Sequence, residues 1–86
     1  MNINELIAIV KNKLQTEIVI QDIKIEDKSF LHKNHKGNQK GKFHLKLIIN
    51  SEELAKTSKI VSTKKIYNVL DFELKEYIHS IQILLN

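Results

Sequence analysis

Apolar residues recur along this chain at two spacings that no single secondary structure satisfies, and the change between them limits the folds open to it. Ile3, Leu6, Ile7, Val10 and Leu14 fall on one helical face, with Asn2 placed to cap its start. From Glu17 the spacing drops to two. Ile18 and Ile20 share one parity, Ile23 and Ile25 the other, so a turn or bulge is expected near Gln21. Ile23 and Ile25, set between Asp22, Lys24 and Glu26, read as one strand. Phe43, Leu45, Leu47 and Ile49, against His44, Lys46 and Ile48, read as a second, each with one buried face. Ser51, followed by Glu52 and Glu53, starts a helix of barely more than a turn, its acids at the positive end of the dipole. Thr57 or Ser58 caps a longer helix whose apolar stripe is Ile60, Val61, Tyr67, Leu70, Leu74 and Tyr77. The sheet resumes at Ile81, Ile83 and Leu85, with Ser80 and Gln82 opposite. The expected order is α, β, β, short α, α, β, an α+β chain forming one domain over residues 1–86.

Composition narrows the chemistry. About a quarter of the residues are Ile or Leu, too apolar for a disordered chain. No apolar run approaches the roughly 18 residues of a membrane span, and the N-terminus shows no basic leader before an apolar stretch, so a cytoplasmic site is expected. There is no cysteine, which excludes disulfides, a thiol nucleophile, a redox pair and any all-thiolate metal site made by this chain alone. All 14 basic residues are lysine, which supplies charge without the bidentate fork of arginine.

The net charge of +4 is unevenly placed. Residues 28–50 hold six lysines, at 28, 33, 36, 40, 42 and 46, and no acid, whereas the rest holds eight lysines against ten acids. The same stretch contains both glycines, Gly37 and Gly41, and three of the four histidines, His32, His35 and His44. It reads as a basic loop of about fifteen residues between the first two strands, and loops of that length tend to be functional or disordered. Charge that merely keeps a hairpin connection solvated is the plainer alternative to a nucleic-acid surface, since Phe30 and Phe43 are too far apart to form an aromatic stacking platform. The short turn at 55–58 also allows a helix-turn-helix reading, with Lys56, Lys59, Lys64 and Lys65 at its basic end.

These features together resemble the BolA-like family, from Ile3 to Leu85. The stretch DKSFLHKNHKG, 27–37, is similar to the family's Asp-Glu-Ser-His-x-His-x-x-His loop, and FHLKLII, 43–49, to its small-His-Phe strand. KTSKIVSTKKIYNVL, 56–70, falls where the family has a Gly-Lys-Ser turn and a hydrophobic-Val-x-Arg-His-Arg helix. The resemblance implies a class II KH-like fold with a three-stranded mixed sheet covered by helices on one face. It also implies two functions. One is pairing with a monothiol glutaredoxin, the heterodimer holding a [2Fe-2S] cluster in iron-sulfur assembly, trafficking or iron homeostasis. Histidine replaces thiolate on one iron in Rieske-type centres, so a chain without cysteine can share a cluster if the partner brings the sulfur ligands.

By that resemblance the loop ligand maps to His35, with His32 a near alternative, and the helix ligand to the middle of Arg-His-Arg. Here the triplet is Thr63, Lys64, Lys65, and a protonated lysine has no lone pair to give. Three outcomes stay open: His44 substitutes, the glutaredoxin contact survives with weaker or absent cluster binding, or this member has lost the function. Without the family, His32, His35 and His44 suggest a three-histidine zinc site. That reading is disfavoured because the loop holds no acid to orient the imidazoles. His79 has no partner in sequence and is expected to be structural or exposed.

The family's second function is DNA binding and transcriptional control through the helix-turn-helix and the basic loop, including Lys33, Lys36, Lys40 and Lys42. Its signature is salt-sensitive affinity with little base readout. RNA clamping in the KH manner is disfavoured, since the turn at 55–58 has no Gly-x-x-Gly. No nucleophile elbow, paired acids or phosphate-binding glycine loop argues for an enzyme.

Overall fold

The computed structural model describes residues 1–29 and 42–86. Helix α1 (Ile3–Glu17) opens on Asn2, whose Oδ1 accepts the Glu5 backbone N–H at 2.8 Å while its Nδ2 donates to Glu5 Oε1 at 3.0 Å. Both partners of the helix start are thereby satisfied within the first turn. Its stripe of Leu6, Val10 and Leu14 is fully buried. Ile18 and Ile20 are not in a strand. The Ile18 N–H closes the helix on the Leu14 carbonyl at 2.9 Å and its side chain seals the core, so residues 18–21 are a connection. The bend at Gln21 lies where the parity changes.

Strand β1 (Asp22–Asp27) pairs antiparallel with β2 (Phe43–Asn50), Ile23 opposite Ile49 and Ile25 opposite Leu47. Helices α2 (Glu52–Ala55), α3 (Lys59–Val69) and α4 (Asp71–Glu76) then carry the chain across to β3 (Ile78–Leu85), which lies parallel to β2. Such a parallel return requires a long crossover, and the helices supply it. The sheet order is β1-β2-β3. One face, carrying Ile23, Leu45, Leu47 and Ile49, is buried against α1, Ile66 and Leu70, as a mixed sheet with helices on one side requires.

The helix after the turn departs from its expected stripe. It breaks at Leu70, which closes α3 through its N–H to the Ile66 carbonyl and opens α4 through its carbonyl to the Leu74 N–H. Ile60, Val61 and Tyr67 are exposed, and the buried positions are Ser62, Ile66 and Leu70. Ser62 replaces an apolar residue because it stands over the end of α2. Its hydroxyl donates to the Leu54 carbonyl at 3.0 Å and lies 2.7 Å from Thr57 Oγ1, satisfying the polar groups of the turn. The third strand also begins earlier than the alternation of Ile81, Ile83 and Leu85 suggests, at Ile78.

Candidate functional site

The segment 30–41 leaves from Ser29 and returns at Lys42, and the described residues beside these two points form a closed hydrogen-bonded frame. Asp27 Oδ1 accepts the Ser29 N–H at 2.9 Å, Ser29 Oγ accepts the His44 N–H at 3.1 Å, and the His44 carbonyl accepts the Lys28 N–H at 2.7 Å. Lys42 Nζ donates to the Lys75 carbonyl in the last turn of α4 at 3.2 Å, where a cation also meets the negative end of a helix. Of the basic-loop lysines, Lys42 is therefore engaged with the protein itself.

Beside this frame the pairing of β2 with β3 slips. Phe43 faces Ile78 but His44 faces Ser80, leaving His79 as the extra residue of a bulge. His44 is 5% exposed, and its Nδ1 lies 2.6 Å from Ser80 Oγ. The ring of His79 sits 4.9 Å from that of His44, tilted by 53°, but is itself exposed. The bulge thus produces two unlike imidazoles side by side: one held by a hydroxyl, the other with its ring open to solvent. His32 and His35 lie outside the described residues, as do Lys33, Lys36 and Lys40. Among the described residues no three His, Asp or Glu side chains converge on a point that could hold a metal.

His79 was not among the sequence candidates, and its position shows why. Extending the alternation of Ile81, Ile83 and Leu85 backward puts residue 79 on the core parity. The bulge takes it off that parity, and no local pattern announces a bulge.

A second surface lies on α3. Lys59, Ile60, Thr63, Lys64, Tyr67 and Asn68 line a groove of about 680 Å³, with Ile60 69% exposed and Tyr67 42% exposed. The helix has no acidic residue, and Ser58 caps it, its Oγ accepting the Val61 N–H at 3.2 Å. Lys56, Lys59 and Lys64 are exposed with no ion pair among the described residues. Lys65 differs. Its Nζ is 2.7 Å from Glu53 Oε2, so much of its charge is cancelled locally. The same contact, with a weaker one from the Val19 N–H, holds the Glu53 carboxyl below its usual value. The basic end of the helix-turn-helix is therefore three lysines rather than four.

Comparison with known proteins agrees with the fold. The profile of the family described as BolA-like protein matches residues 14–86. The chain is 30% identical over 75 residues to the DNA-binding transcriptional regulator BolA of Haemophilus influenzae, covering 87% of this chain and 70% of that protein. Among solved structures, the BolA domain of SufE1 from Arabidopsis thaliana superposes with a TM-score of 0.77 at 26% identity, over 92% of this chain and 87% of that one. BolA1 from Mus musculus superposes with a TM-score of 0.71 at 17% identity, over 90% of this chain and 60% of that one, a likeness of fold alone.

Proposed function

The chain belongs to the BolA-like protein family, and from that premise we propose that it is a cytoplasmic binding protein, not an enzyme, that joins a monothiol glutaredoxin and shares a [2Fe-2S] cluster with it. The observation that carries this reading is the exposed His79 imidazole, set against the Ser80-held ring of His44 beside the ends of the histidine-bearing segment. Lys64 has no lone pair to donate, and His79 supplies the second imidazole that the helix triplet lacks. The described residues fit a cluster only as a half-site. Imidazole can replace thiolate on one iron, and with no cysteine in this chain the sulfur ligands come from the partner. The cluster is then cargo held at the junction of two chains, with His79 and His35 from this one and His32 as the alternative. The bulge sets His79 outside the ladder pairing, and the contact between His44 and Ser80 lies beside it.

Anaerobic reconstitution with a monothiol glutaredoxin, iron, sulfide and glutathione tests the reading. A heterodimer on size exclusion whose visible spectrum changes with His79→Ala and with His35→Ala is expected. Loss of association altogether would remove the reading. A heterodimer whose spectrum ignores every histidine would reduce it to a protein contact.

One observation favours DNA as a second reading: Lys59 and Lys64 on the acid-free helix α3, with Lys56 in the turn before it, stand unpaired by any described acid, in a chain similar to a relative that is a DNA-binding regulator. Phosphate contacts through three lysines give an affinity that falls steeply with salt, with a slope of about −2.7 in log units, and that is indifferent to the histidines. The same histidine variants therefore separate the two readings.

A further inference from the structure

We propose that the outer edge of β3 is a docking strand for an extended segment of a partner protein, apolar at alternate positions and acidic at the end that lies beside Leu85. The two edges of the sheet are built differently. β1 alternates Ile23 and Ile25 with Asp22, Lys24 and Glu26, and charges of this kind blunt an edge against pairing. β3 reads IHSIQILL, eight residues without a lysine, an acid or a proline.

Its hydrogen-bonding capacity faces outward. The Asn86 N–H reaches the Ile49 carbonyl, so the alternate residues Ile81, Ile83 and Leu85 direct their N–H and C=O groups away from β2, and no described group bonds their N–H. Beyond Ile78, which is in the core, the helices cover this strand less completely than β2. Leu45, Leu47 and Ile49 on β2 are at most 2% exposed, while Ile81, Ile83 and Leu85 beside them on the same face are only half-buried. On the opposite face Leu84 is 40% exposed. A groove of about 320 Å³ opens at the Leu85 end of the strand, lined by Leu54, Thr57 and Lys59 together with Ile49, Ile83 and Leu85. An open strand beside a helix-lined groove is the arrangement that accepts an added strand, main chain to main chain, with alternate side chains seated in the groove.

Charge selects the occupant. Lys59 stands at the groove with no ion pair among the described residues, and Lys56 is exposed in the adjoining turn. Each copy of the chain carries +4, so association with a second copy meets a net repulsion, whereas an acidic terminus on an extended segment is attracted. A nucleic acid would leave the apolar flanks and the row of N–H groups unused.

The test uses the full chain and two short synthetic peptides alternating valine with threonine, one ending in two aspartates and the other in two lysines. With the acidic peptide, hydrogen exchange of the Ile81, Ile83 and Leu85 amides is expected to slow by at least about tenfold, while the β1 amides stay unchanged. Lys59→Glu, at an exposed first position of a helix where an acid is well tolerated, is expected to weaken the acidic peptide about three- to fivefold and favour the lysine peptide. Leu84→Lys, a charge placed on the exposed side of the edge, is expected to abolish protection. No protection along β3 would overturn the proposal. So would protection that appears without peptide in a concentration-dependent dimer, which makes the occupant a second copy, or binding insensitive to both Lys59→Glu and peptide charge.

Discussion

Glu73 is 3% exposed, and the cost of holding a carboxylate there is met from one direction only. Lys13 Nζ lies 2.7 Å from Oε2 and 5.9 Å from the centre of the Phe72 ring, tying α1 to α4. The other oxygen, Oε1, has no partner among the described residues. A buried pair of this kind contributes little by existing but a great deal by being broken. Lys13→Ala is expected to lower unfolding free energy in urea by about 3 kcal/mol, the low end for a buried pair because Lys13 is partly in water. Glu73→Leu, which removes the charge and fills the same space, is expected to leave stability unchanged or raise it by about 1 kcal/mol. If Lys13→Ala proves neutral, the pair is not what holds α4 on α1. Neither partner was legible in the sequence, since a glutamate sixty residues from its lysine in an acid-rich helix start looks like a solvated end. Ser62 is a similar case: a serine in a helix reads as surface, and only the Leu54 carbonyl above it makes burial favourable.

At the scale of elements, α1 and the β1–β2 pair were read almost to their ends, because their periodicity and the Asn2 cap agree. The long helix was misread for a physical reason. Ile60, Val61 and Tyr67 satisfy a helical stripe, but α3 is anchored by Ser62 and Ile66 on another face, so these three point outward, whereas Leu70 of the same expected stripe is in the core and Leu74 and Tyr77 pack against it. The join between α2 and α3 is also held by Glu53 and Lys65, with the Val19 N–H donating to the same carboxylate at 3.4 Å. The Glu53 carboxyl is therefore depressed below the ordinary value of 4.5, chiefly by the hydrogen bond from Lys65. A depressed carboxyl stabilises the fold while it is ionised. Its contribution is complete above about pH 4.5 and is lost as pH falls through the lower folded value. Thermal unfolding of the wild type and Glu53→Gln is accordingly expected to differ near neutral pH and to converge as the pH falls well below the ordinary carboxylate value. A difference that persists unchanged in acid would assign the effect to packing rather than to charge.

For the whole molecule, 86 residues are expected to be stabilised by only about 4–13 kcal/mol, so the centre of the sheet has little reserve. Leu47 is fully buried, with Ile25 on one side and Ile83 on the other. Leu47→Ala is expected to cost about 3 kcal/mol and to lower the urea midpoint without loss of two-state behaviour. The half of the candidate site on α3 was visible in the sequence as lysines near a turn. The half at the sheet end was not, because it depends on a register slip between strands more than thirty residues apart. The order of the strands has one further consequence, for the nascent chain. β2 is the central strand, yet its second neighbour is made only after residues 51–77, which take on the order of seconds to translate. Until β3 docks, the β1–β2 hairpin leaves its more apolar strand bare along one side. A chain stalled or cut before Ile78 would keep that side open indefinitely, and it is in such truncated products, rather than in the finished protein, that aggregation should begin.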